Sequence, residues 1–199
     1  MVPVNTATTR DKILTTGLNL FSRKGFIATT TREIAREAGI AEVTLFRHFP
    51  SKEQLLEEVI TQFSFIPALK AQLAELKDQP CEDALVTIAD TLLDTLTLRK
   101  EWVLLMQAEL RRNPDKLLKA YHTFLDRIFA SIAEYFCSQQ DKGTMGSFNP
   151  EIAARAFYGM IFNCFYTEEV LLRKLYRKTD RRVAVREFAR LFVRGTASC

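Results

Sequence analysis

The side chains best placed to do chemistry lie between Thr30 and Lys52. Arg32 and Arg47 carry the planar fork that matches a guanine edge, Glu42 can accept from a cytosine amino group, and the methyls of Val43 and Thr44 can meet that of thymine. Thr31 and Lys52 each follow a residue, Thr30 or Ser51, that can cap a helix. Both therefore fall in a first turn, where free N–H groups and the positive dipole end favour phosphate. Phe46 suits van der Waals contact with sugar and backbone, or partly buried packing. His48 suits a phosphate donor. Two further positions carry a second reading: Glu42 as an acid that stabilises its own helix N-terminus, and Arg32 as a plain surface residue.

Other chemistries lack their residues. No glycine-rich phosphate loop, H-E-x-x-H or G-x-S-x-G occurs, and His48 and His122 are the only histidines, so an enzyme would have to rest on unmarked carboxylates. No catalytic residue and no cofactor is assigned. Cys81, Cys137, Cys164 and Cys199 lie far apart without C-x-x-C spacing, which points to reduced thiols rather than a zinc site or disulfide framework. No metal ligand is assigned, and Cys199 is given no role.

Charge is unevenly spread. The net +4 lies wholly in residues 1–52, where eight Lys/Arg face four acids, while the remainder balances at twenty of each. Such an N-terminal excess could serve a polyanion, although a solvated mixed-charge surface also accounts for it. No apolar run reaches the length of a membrane span, and the N-terminus lacks the basic start and apolar block of a secretory signal, so a cytoplasmic protein without membrane association is expected.

Helical periodicity dominates, and the fold class is all-α. A first helix is expected from Thr9 to Lys24, with Arg23 and Lys24 at its negative end and a left-handed Gly25 after it. Thr30 and Glu33 form a capping-box pattern that opens a second helix at Thr31, which Gly39 ends. Glu42 to His48 make a third helix, stopped by Pro50, and Ser51 with Gln54 opens a fourth. Later helices are expected over 68–78, 82–98, 100–112, 115–139, 150–176 and 180–195, with a loop from Gln139 to Asn149. Two short helices joined at Gly39, the second beginning with small or polar residues, meet the requirements of a helix-turn-helix.

Residues 10–56 resemble the DNA-binding domain of the TetR family of transcriptional regulators. The resemblance rests on Phe21, Gly25, Thr30, Thr31, Ile34, Ala35, Ala38, Gly39, Thr44, Leu45, Phe49, Ser51, Lys52 and Leu55 in family-like spacing. Ala41 stands where a capping Ser or Thr is common, Glu42 is acidic in a helix facing phosphates, Val43 replaces Gly or Ala, and Phe46 replaces Tyr. The resemblance implies a helix-turn-helix domain (1–56) and a helical effector-binding and dimerisation domain (57–199). It further implies double-stranded operator DNA and a small-molecule effector as partners, and a homodimer.

Beyond residue 57 the signals are compositional. Phe157, Tyr158, Met160, Ile161, Phe162, Cys164, Phe165 and Tyr166 give the 150–176 segment more apolar surface than one helix face needs, and the resemblance places it with 180–195 in the dimer's four-helix bundle. The Arg182, Arg186, Arg190 and Arg194 row reads as a solvated rim pairing with acids. Trp102, Met106, Leu110, Tyr121, Phe124, Leu125, Phe129 and Phe136 either surround an effector cavity or form plain core, so no effector contact is assigned. A helical adaptor with a degenerate helix-turn-helix is the other non-enzymatic reading.

Overall fold

In the computed structural model, residues 8–177 and 179–196 are described; Cys199 lies outside them. Every regular element among them is helical. The first, α1 (Thr9–Lys24), starts in a complete capping box: Thr8 Oγ1 accepts from the Asp11 N–H at 3.1 Å and the Asp11 carboxylate accepts from the Thr8 N–H at 3.1 Å. Then follow α2 (Thr31–Glu37), α3 (Glu42–His48) and α4 (Lys52–Gln62), with the expected bounds. Thr30 and Ser51 supply the caps, accepting from the N–H groups of Glu33 and Gln54. The Glu33 carboxylate also pairs with Lys24, which holds its pKa below the ordinary carboxylate range.

The remaining helices are α5 (Ile66–Leu76), α6 (Cys81–Leu98), α7 (Lys100–Arg112), α8 (Pro114–Asp141), α9 (Pro150–Phe165) and α10 (Arg181–Gly195). Two bounds differ from expectation because of proline. Pro67 and Pro114 lie in first turns, where the missing N–H would have had no helical partner, so α5 and α8 begin at or before them. The expected helix over 150–176 is broken. It ends at Phe165, widens into a π-helical turn over Tyr166–Val170, passes through Leu172 in the left-handed region (φ 55°, ψ 30°) and continues as a tighter 3-10 turn, Arg173–Leu175. Ion pairs Arg173–Glu168 (3.3 Å) and Lys174–Glu169 (2.7 Å) bridge five residues, a spacing that an unbroken α-helix would place on different faces.

Packing divides the chain otherwise than at residue 56. One compact unit comprises residues up to 63 together with 101–124; the other comprises 64–100 and the residues from 125 onward. In the first, Ile13, Leu14, Phe21, Ile34, Leu45, Leu55 and Val59 share a core with Trp102, Met106 and Leu117. Trp102, Met106, Leu110 and Phe124, weighed above as cavity lining, thus belong to the packing of the helix-turn-helix unit. In the second, Phe136 stacks on Phe192 at 5.1 Å and Phe157 meets Phe192 edge-on at 5.4 Å, joining α8, α9 and α10. Arg181 reaches Asp90 and Asp94 (2.8 and 2.6 Å), and Arg190 of the arginine row reaches Glu82 (3.1 Å) and Glu187 (2.9 Å). No helix among the described residues is long and apolar enough to cross a membrane.

Candidate nucleic-acid interface

The turn between α2 and α3 is closed by a Schellman pair. The Ile40 N–H donates to the Ala35 carbonyl at 3.0 Å and the Gly39 N–H to the Arg36 carbonyl at 3.2 Å, which requires the left-handed backbone that Gly39 adopts (φ 70°). Leu45 is fully buried and pins α3 to the unit, with Ile40 and Phe49 packed beside it. Everything opposite Leu45 faces outward. Val43 is 75% exposed and Phe46 42% exposed, and Arg47 and His48 stand in solvent, with Thr44 half-buried. Phe46 is therefore not core. Residues 43, 46 and 47 share one helix face through their i, i+3, i+4 spacing.

Two of the candidate residues meet each other. The Thr31 hydroxyl donates to Glu42 Oε1 at 2.7 Å, so the first turn of α2 is tied to the first turn of α3. Ala41 caps α3 without a side-chain bond, and the acidic Glu42 complements that dipole end instead. Arg32 is exposed on α2.

Lys52 is placed differently from a free phosphate ligand. Its Nζ donates to the carbonyls of Phe26 (3.0 Å) and Thr29 (2.9 Å) and lies 4.3 Å from the Phe26 ring centre. Burial lowers its pKa. Two ammonium protons are thus engaged on the α1–α2 loop, leaving one that can face outward.

Residues 13–59 match the tetR family of bacterial regulatory proteins, and residues 83–195, more than half of the chain, match the C-terminal domain of AefR-like transcriptional repressors. The chain belongs to the TetR family. Among relatives, the HTH-type transcriptional regulator YvkB of Bacillus subtilis is 27% identical over 157 residues, 79% of this chain and 81% of YvkB. The repressor KstR2 of Mycolicibacterium smegmatis is 44% identical over 61 residues, 31% of this chain and 30% of KstR2. Among solved structures, Bacillus subtilis FadR in complex with stearoyl-CoA superposes with a TM-score of 0.68 at 17% identity, covering 92% of this chain and 97% of FadR.

This TetR-family regulator carries two further positioning residues that the sequence did not single out. Thr29, fully buried, donates its hydroxyl to the Gly25 carbonyl at 2.8 Å. Glu109 of α7 accepts from the Ile27 N–H at 3.4 Å and lies so close to Gly25 that a Cβ there would sit 3.1 Å from the carboxyl carbon. Gly25 has φ 81° and ψ 168°, outside the expected left-handed helical region and in one that is essentially glycine-only. Thr29 lies in the same Thr run as its neighbour Thr30 and could have been weighed with it; Glu109, far along the chain, left no local signal.

Proposed function

We propose that this TetR-family DNA-binding regulator is a homodimeric repressor that holds a near-palindromic operator through α2 and α3. On this reading a small apolar or amphipathic effector, binding the helical unit of residues 64–100 and 125 onward, releases it. The outward face of α3 carries the reading: a short helix anchored by Leu45 that exposes Val43 and Phe46 beside Arg47 offers both methyl contacts and a guanidinium to a major groove. Arg32, Glu42, Val43, Thr44 and Arg47 are assigned to base edges, Thr31, His48 and Lys52 to phosphate, and Phe46 to sugar and backbone. For Glu42 the assignment must compete with its bond from Thr31. Dimerisation is assigned to α9 and α10, whose outward Ile152 and Leu191 remain 66% and 63% exposed around a hollow of about 500 Å3.

Support for repression comes from KstR2, and for an amphipathic effector from FadR, which binds stearoyl-CoA. The effector must prefer a dimer whose recognition helices no longer match successive major grooves, about 34–36 Å apart. By reciprocity, operator DNA then weakens the effector by the same factor, about 5–150-fold. Calorimetry on candidate amphiphiles with and without selected operator DNA tests that equality. Ligands that bind free and DNA-bound protein equally would contradict induction by release.

A further inference from the structure

A buried hydroxyl in the second unit has nothing to bond. Tyr135 of α8 is 1% exposed, and its Oη is, among the described residues, the buried side-chain polar atom left without a hydrogen-bond partner. An orphan of this kind destabilises the fold, so its persistence asks for a reason. It faces the thiol of Cys81, the first residue of α6. That thiol sends its own hydrogen elsewhere, to Gln139 Oε1 at 3.5 Å, and the same oxygen accepts from the Thr144 hydroxyl at 2.7 Å. Gln139 is itself fully buried and donates its amide to the Lys77 carbonyl at 3.4 Å, which fixes the acceptor in place. Cys81 is only partly buried, which leaves a route for a solute of about water's size. The surrounding charge suits a sulfur that must become negative to react. Pro80 gives α6 no side-chain cap, so the free N–H groups of its first turn attract negative charge beside Cys81. Of the two acids in that turn, Glu82 is paired with Arg190 at 3.1 Å and Asp83 is exposed, and on the preceding connection Asp78 is paired with Lys142 at 2.9 Å.

We infer that Cys81 is an oxidation site: hydrogen peroxide converts its thiol to a sulfenic acid, and the Tyr135 hydroxyl donates to the oxygen so added. The sulfur attacks one peroxide oxygen as the thiolate. An S–O bond forms and the O–O bond breaks; the sulfur is oxidised by two electrons, and the leaving hydroxide takes up the proton that the thiol released, giving water. Tyr135 keeps its own proton throughout, because burial, and after it the neighbouring Cys81, raise its pKa above the ordinary phenol range. The added oxygen thus supplies the acceptor that the phenol lacks in the reduced protein. The other described cysteines are less suited. Cys137 is exposed, without a buried donor in want of a partner, and Cys164, whose pKa is raised by burial and then by Glu168, holds less thiolate. The site owes nothing to the proposed operator, effector or dimer and stands or falls without them.

The test pulses the reduced full chain with hydrogen peroxide in the presence of dimedone, which tags sulfenic acids, and maps the tagged peptides by mass spectrometry. Cys81 should acquire the tag about five to ten times faster than Cys137 or Cys164, the worth of one net hydrogen bond, and Tyr135→Phe should remove that advantage. A second measurement, urea denaturation, separates this role from a merely structural one. Reduced Tyr135→Phe should unfold at the same urea concentration as wild type or a higher one, since it deletes an unpaired hydroxyl. After peroxide without dimedone the order should reverse, because only wild type then gains the new bond. Tagging no faster at Cys81 than at Cys137 would overturn the site, as would a Cys81 rate that Tyr135→Phe leaves unchanged. A reduced Tyr135→Phe that unfolds at lower urea than wild type would mean that the hydroxyl already has a partner, such as a buried water, and would overturn the assignment too.

Discussion

The α2–α3 pair and the α9–α10 pair both leave large apolar side chains in solvent, and the contrast lies in how many and on what support. In α3 two such groups, Val43 and Phe46, stand on a seven-residue helix locked by the Gly39 turn at one end and the Phe49–Pro50 break at the other. Across α9, the segment that follows it and α10 they number at least seven: Ile152, Leu171, Leu172, Leu175, Tyr176, Val183 and Leu191. A groove is read by a few rigid side chains that need only be held in place, whereas a stable protein partner must cover about 800 Å2 on each side. Few and fixed suggests a reader, and many and spread suggests an interface.

Substitutions can break or sharpen this contrast. Leu45→Ala should cost about 2–5 kcal/mol of stability in urea denaturation, as a fully buried leucine does. Val43→Ala, in the outward class, should stay within about 0.5 kcal/mol of wild type while altering base preference. If Val43→Ala destabilises as much as Leu45→Ala, α3 is packed rather than presented. Gly25→Ala should be the next most damaging, by about 1–3 kcal/mol, because its backbone is glycine-specific and its Cβ would press on Glu109. Gly39→Ala, whose Cβ meets nothing, should lose only the left-handed cost of about 1–2 kcal/mol, read by the same denaturation.

Lys52→Met should destabilise the fold by about 1–3 kcal/mol through its two carbonyl bonds, and weaken operator and random DNA alike if its third proton serves phosphate. Its pH dependence has a definite sign. Burial lowers the Lys52 pKa, so the unfolded chain keeps that proton to higher pH than the folded one does. This contribution to stability therefore rises as pH climbs from the lowered value to the ordinary lysine range, and thermal melts of Lys52→Met should lack that rise. Equal DNA binding by Lys52→Met and wild type would leave the residue a loop staple alone. Smallest of all, Gly159→Ala on the exposed face of α9 should stabilise the single chain by up to about 1 kcal/mol through helix propensity while loosening the dimer, a split that a plain surface position would not show.

The two regions also differed in how much the sequence disclosed. The bounds of α1, α2 and α3 and the start of α4 were legible because their signals are local: Thr30 and Ser51 caps, glycines at positive φ, and Pro50 after the last turn of α3. Pro67 misled because a proline that breaks a helix interior is harmless in a first turn. The end of α9 was not legible at all, since no glycine or proline marks residues 166–172 and the break is stabilised by ion pairs that exist only once it has formed. On α3, Val43, Phe46 and Arg47 stand on the exposed face that the proposed reading requires. Residue types did not disclose that Thr31 bonds Glu42 or that Lys52 turns inward, because both depend on which loops and helices meet.

The central claim, that the outward face of α3 reads DNA as one half of a two-fold dimer, is tested most directly by selecting bound duplexes from a random pool with wild type and with Arg47→Ala. The account predicts a dyad-symmetric motif with half-sites one helical turn or a multiple of it apart, and a change of preference at the same position of both half-sites in the variant, by about 1–3 kcal/mol. A selected motif without dyad symmetry, or one that Arg47→Ala and Val43→Ala both leave unchanged, would contradict it.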